Sequence, residues 1–95
     1  MPEELRMTIE QKAMQLIDER RKAAKITLDQ LASALYPDKP IASGRMVIQR
    51  LRHPQGSKEP RKMNLGEFVE LTRAVGINPV QALGAVLQEI DDTKV

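Results

Sequence analysis

Apolar residues recur at the three- and four-residue intervals of an α-helix in five separate stretches, and the strict alternation of a half-buried strand is missing. The first stretch runs from about Glu3 to Lys25, with Ile9, Ala13, Leu16, Ile17 and Ala24 on one face. Arg20, Arg21, Lys22 and Lys25 fill its last turn, where cations meet the negative end of a helix dipole. The second stretch, 28–36, carries Leu28, Leu31, Ala32 and Leu35; Thr27 with Gln30 forms a capping box at its start. Pro37 stops it and pushes Tyr36 towards an extended backbone. Two prolines in Pro37-Asp38-Lys39-Pro40 make a rigid turn. Ser43 then reads as the cap of a third helix, 44–52, whose inward residues are Val47, Ile48 and Leu51, and Pro54 ends it. A polar, basic loop leads to a fourth helix, 65–75, with Asn64 and Glu67 as capping box and Gly76 as the terminal glycine. Leu65, Phe68, Val69, Leu71 and Val75 are its apolar set. Asn78 caps the fifth helix, 79–91, Pro79 takes its first position, and Val80, Leu83, Val86, Leu87 and Ile90 form its stripe. Five short helices on short links predict a single all-α domain over 1–95, a compact five-helix bundle.

Composition narrows this further. Tyr36 and Phe68 are the only aromatic residues among 95, so the core is aliphatic and suits helix-on-helix packing. Cysteine is absent, which fits a reducing cytoplasm better than a secreted domain of this size. No apolar run approaches the roughly 20 residues of a membrane span, and the opening Met-Pro-Glu-Glu-Leu-Arg does not read as a signal peptide. His53 is the one histidine and has no acid close to it in sequence. Without a cysteine nucleophile or a set of zinc ligands, neither an enzyme nor a metal or cofactor site is expected. Asp91-Asp92 reads as an acidic tail.

The charge is unevenly placed. Residues 39–62 hold seven Lys/Arg against one Glu, a net +6, whereas 1–38 carry −1 and 63–95 carry −3. A basic middle between neutral and acidic ends predicts a surface that meets a polyanion. Within it, the face of the third helix opposite Val47, Ile48 and Leu51 holds Arg45, Gln49 and Arg52, with Met46 and His53 beside them. Arginine can donate two hydrogen bonds to guanine, and glutamine can pair with adenine. Ser43 and Gly44 stand where free amides at a helix start can meet phosphate. Arg50 is read as bordering the inward face, in reach of phosphate. Lys39, Lys58, Arg61 and Lys62 are the remaining phosphate candidates.

The run Ile26-Thr27-Leu28-Asp29-Gln30-Leu31-Ala32 resembles the Leu-Thr-Gln-Glu-Glu-Leu-Ala of Cro/repressor-type (lambda repressor-like) helix-turn-helix domains. The later pattern of helix, Gly76, Ile77 and a capped last helix resembles that family too. The resemblance covers roughly residues 9–90. Two positions depart from it. The glycine the family carries in its turn is Tyr36 here, in an enlarged turn, and the DNA-touching glutamine that often opens the second helix is Leu28. The resemblance implies a transcriptional regulator, often of phage or mobile-element origin, that binds double-stranded DNA as a homodimer on a palindromic operator. The fifth helix then offers a dimer surface, with core packing as the other reading of its stripe; the first helix is a second candidate. A different reading is a helical module that binds another protein, such as an antitoxin-like partner. Single-stranded RNA is disfavoured, because exposed aromatics for base stacking are lacking.

Overall fold

The computed structural model describes residues 3–52 and 62–93. They form α1 (Glu3–Ala23), α2 (Leu28–Leu35), α3 (Ile41–Arg52), α4 (Leu65–Ala74) and α5 (Pro79–Thr93), with no strand among them. The expected all-α five-helix bundle is therefore the fold. No helix among the described residues is long and apolar enough to cross a membrane.

Two aliphatic clusters hold the helices together, and α1 is the wall between them. Met14 and Ile17 of α1 pack with Leu31, Ala32 and Leu35 of α2, Ile48 and Leu51 of α3, and Leu71 and Val75 at the end of α4. Ala13, one residue earlier and about 100° around the helix, faces Val86 and Ile90 of α5, with Leu5, Ile9, Leu16 and Phe68 around them. Lys12 and Glu89 join α1 to α5 in an exposed ion pair at 2.7 Å. Met14 is a core residue the apolar pattern did not single out. Ala24, read as part of the buried face, lies beyond the helix and is exposed.

The stripe on α5 divides between two faces. Ala82, Val86 and Ile90 are buried, whereas Val80 is 79% exposed and Leu83 and Leu87 are each 41% exposed. Asn78 caps this helix as expected, its Oδ1 accepting from the Val80 amide at 2.8 Å. On α4, Leu65 is exposed and the fully buried polar residue is Thr72. Its hydroxyl is satisfied within the helix, donating to the carbonyls of Phe68 at 2.9 Å and Val69 at 3.0 Å.

α1 and α4 end with the same device. The Ile26 amide donates to the Arg21 carbonyl at 2.9 Å and the Lys25 amide to that of Lys22 at 3.1 Å. These are the two bonds of a Schellman motif. Ile77 to Thr72 at 2.9 Å and Gly76 to Arg73 at 3.0 Å repeat it at the end of α4. Each motif needs one residue in the left-handed region: Gly76 at φ 81° and Lys25 at φ 60°. The first helix is accordingly shorter than its periodicity suggested. A lysine side chain is strained in this conformation and glycine is not. Lys25→Gly should stabilise the fold by about 0.5–1 kcal/mol after the greater freedom of unfolded glycine is deducted. A melting temperature unchanged or lowered in that variant would show that Lys25 carries no such strain.

Candidate nucleic-acid interface

α3 is fixed to α2 by a close backbone approach. A five-residue turn, Tyr36–Pro40, joins them; Tyr36 leaves the helical region at φ −133° and ψ 75°. The Tyr36 hydroxyl donates to the buried Glu67 carboxylate at the start of α4, and the Lys39 ammonium lies 4.6 Å above the Tyr36 ring. α3 then begins at Ile41, a turn earlier than the sequence suggested, so part of the enlarged connection is helix. Ser43 is not its cap. The Pro40 carbonyl accepts from the amides of Ser43 at 3.0 Å and Gly44 at 3.3 Å, so neither amide is free for a phosphate. Gly44 is buried against α2, where an added Cβ would stand 2.9 Å from Ala32 Cβ and 3.1 Å from the Ala32 carbonyl oxygen. Its role is contact between helices. Ser43 remains exposed through its side chain.

The other end of α3 is tied to α1. Gln11 Nε2 donates to the Leu51 carbonyl at 3.2 Å, satisfying one of the acceptors a helix leaves open at its C-terminus. Arg52 turns inward, its side chain only 14% exposed, with Nε 3.2 Å from Asp18 Oδ1 and Nη2 3.4 Å from Oδ2. Its Nη1 also donates to Gln49 Oε1 at 3.4 Å. Asp18 is shared with Arg21 at 3.0 Å and Lys22 at 3.3 Å. Burial pushes the Asp18 carboxyl pKa up, but the Arg21 hydrogen bond and the charges of Arg52 and Lys22 outweigh it. The net result is a pKa below the usual 3.8. Arg52, expected among the base readers, is thus a buried tether between α3 and α1.

The outward face of α3 is centred elsewhere than expected. Gly44, Ile48 and Leu51 are buried and Val47 is half-buried. Arg50, read as bordering the inward face, is about 200° around the helix from Ile48 and exposed. Met46 is beside it, 58% exposed, and Ala42 and Ser43 complete the outer ridge. Ala42 was missed because the helix start was placed too late. Gln49 lies half-buried on the flank. Arg45 is exposed and reaches Asp29 of α2 at 3.3 Å, a pair held in high dielectric that contributes little. Lys39 and Lys62 are exposed. His53, Lys58 and Arg61 lie outside the described residues.

The structure therefore brings Ser43, Arg45, Met46, Gln49 and Arg50 onto one solvent-facing surface and removes Gly44 and Arg52 from it. Among the described residues no cluster of His, Asp and Glu is placed to hold a metal ion. The chain matches no protein-family model, no curated protein and no solved structure.

Proposed function

We propose that this protein is a sequence-specific, double-stranded DNA-binding transcriptional regulator that inserts α3 into the major groove. The observation that carries this reading is the contrast between the two sides of α3. Its inner side is fixed by Gly44, Ile48, Leu51 and Arg52, while the ridge Ala42, Ser43, Met46 and Arg50 on its outer side is exposed among the described residues and lies in the +6 segment 39–62. A rigidly held helix with an exposed, cationic outer ridge has the size and charge that a major groove accepts. Arg50 and Gln49 supply the donors and the acceptor for base edges, and Lys39 and Arg45 stand where phosphate contacts would fix the register. Repression is the default mode, since occluding a promoter needs DNA binding alone.

The second half of the proposal is a homodimer on a palindromic operator. Val80, Leu83 and Leu87 leave an apolar strip on α5 open to solvent, and a two-fold pairing would cover the same strip on both copies. The exposed Ile41 and Met46 favour a second reading, a module that binds another protein through α3.

Selection of this chain's ligands from a pool of random duplexes separates the two. A DNA-binding dimer will enrich a palindrome. Its affinity will fall about a thousandfold between about 50 and 200 mM salt if some six phosphates are contacted. Arg50→Ala will flatten the discrimination between the enriched and a scrambled duplex while leaving the melting temperature unchanged. A pool that yields no enriched sequence would overturn the reading.

A further inference from the structure

The outer ridge of α3 is more apolar than phosphate contact requires. Ala42, Ser43, Met46, Val47 and Arg50 line a shallow depression of about 210 Å³. Four of these five side chains have carbon to offer it: the methyl of Ala42, the thioether chain of Met46, the branched Val47 and the stem of Arg50. Val47 is only half-buried by the core, which leaves part of it to floor this depression. A surface that had only to meet phosphate would gain nothing from Met46 at its centre, where it is 58% exposed.

We propose that this depression takes thymine C5-methyl groups, so that Ala42 and Met46 each read T by apolar contact. The inference rests on α3 being the helix that enters the groove. Thymine is the one base whose major-groove edge carries a methyl group, and apolar side chains are its natural complement. Methionine suits the position because its unbranched chain adapts its shape to a small apolar partner. Ala42 and Met46 are one helical turn apart, about 6 Å along the axis. With base pairs stacked at about 3.4 Å, the two side chains meet methyl groups about two base pairs apart. Arg50, a further turn along, then stands about two base pairs beyond and donates to a guanine there. The half-site thus carries thymine ahead of guanine in the direction from Ala42 to Arg50.

The test uses the full chain and the duplex enriched from the random pool. Each thymine is replaced in turn by deoxyuridine, which removes the methyl group and keeps the pairing and the O4 acceptor. Symmetric replacement is made in both half-sites. One or two positions per half-site should show about fourfold weaker binding per methyl removed, the loss expected for one buried carbon. In Met46→Ala the penalty at its position should fall below about twofold by the same measure, while Lys39→Ala, at an exposed position outside the depression, keeps it. Met46 is largely exposed, so both variants retain the fold, which a melting curve verifies. An enriched duplex whose deoxyuridine versions all bind as tightly overturns the methyl pocket and leaves the DNA reading standing. A penalty that persists unchanged in Met46→Ala also overturns it. If no duplex is enriched, both fall together, and the apolar ridge belongs to a protein contact.

Discussion

Gly44→Ala will lower the melting temperature of the free protein, although alanine is the better helix former. In an exposed helix interior the exchange stabilises by about 1 kcal/mol. At Gly44 the new Cβ would meet Ala32 Cβ at 2.9 Å, the Ala32 carbonyl oxygen at 3.1 Å and Ala32 Cα at 3.3 Å. These three atoms are backbone or fixed directly to it, so no side chain can rotate aside. α2 and α3 must separate, and Ile48 and Leu51 then lose contact with Leu31 and Leu35. Overpacking costs about 1–3 kcal/mol, and a 2.9 Å approach to atoms that cannot rotate aside puts this site in the upper half, about 2–3; set against the propensity gain of about 1, the net loss is about 1–2 kcal/mol. For a chain of this size that is a fall of about 5–10 °C. Gly84 of α5 is the control, since nothing lies within 4 Å of an added Cβ there. Gly84→Ala should therefore raise the melting temperature while Gly44→Ala lowers it. Ala32→Gly in the Gly44→Ala background removes the shortest contact and should restore part of the loss, a non-additivity that distant sites do not show. If Gly44→Ala and Gly84→Ala shift the melting temperature in the same direction, α2 and α3 do not approach this closely. Because Gly44 sets how deeply α3 sits, the substitution will also displace Met46 and Arg50 relative to the rest of the surface.

Local chemistry was legible in the sequence wherever a side chain does the local work. Thr27 with Gln30 and Asn64 with Glu67 make the reciprocal capping bonds their spacing announces. Gly76 has the positive φ that a terminal glycine supplies. The start of α3 was not legible, because Pro40 offers its carbonyl and no capping side chain, and Ser43 imitates the cap that is missing. That one misplaced turn hid Ala42 and made Gly44 look like a phosphate site. Arg52 shows a different limit. Nothing in a run of basic residues marks which of them has a carboxylate waiting thirty-four residues away in sequence. Arg50 is the reverse case: its position opposite Ile48 follows from helix geometry alone, so its exposure was available from the start. Lys25 has no sequence signal, since a non-glycine residue in the left-handed region looks like any other helix-ending lysine. On α5 the apolar residues span too wide an arc for one core face, and only the packing of its neighbours, with Ala13 of α1 set against Val86 and Ile90, decides which of them go inward.

Asp18→Ala should destabilise the protein strongly and release the C-terminal end of α3. One carboxylate, 18% exposed, serves three cations: Arg21 and Lys22 from the following turn and Arg52 from α3. Without it the three positive charges face one another, and Arg52 keeps a buried Nε with no hydrogen-bond acceptor in line. A charge-assisted hydrogen bond contributes about 1.5–3 kcal/mol, and a fully buried pair broken on one side costs about 3–5. Partial exposure of this cluster argues for the lower range, about 2 kcal/mol. Acid should mimic the substitution. The folded-state pKa of Asp18 is lowered, so its contribution is complete above the usual value of 3.8 and is lost as the pH falls through that value and the lower folded one. The stability difference between the protein and Asp18→Asn, measured by urea denaturation, should thus be constant near neutrality and shrink below pH 3.8. A difference that stays constant into strong acid would mean that Asp18 is not the anion holding the cluster. Arg52→Ala then separates tether from reader. As a tether its loss lowers stability, and with Asp18→Ala already in place it costs little more. As a base reader it would leave stability untouched and abolish the preference for the enriched duplex, because its guanidinium would have to leave Asp18 to reach a base. The 14% exposure of that side chain favours the tether; under the proposed DNA-binding function, with α3 anchored at Gly44 and Arg52, discrimination between sequences would fall to the ridge between them, Met46, Gln49 and Arg50.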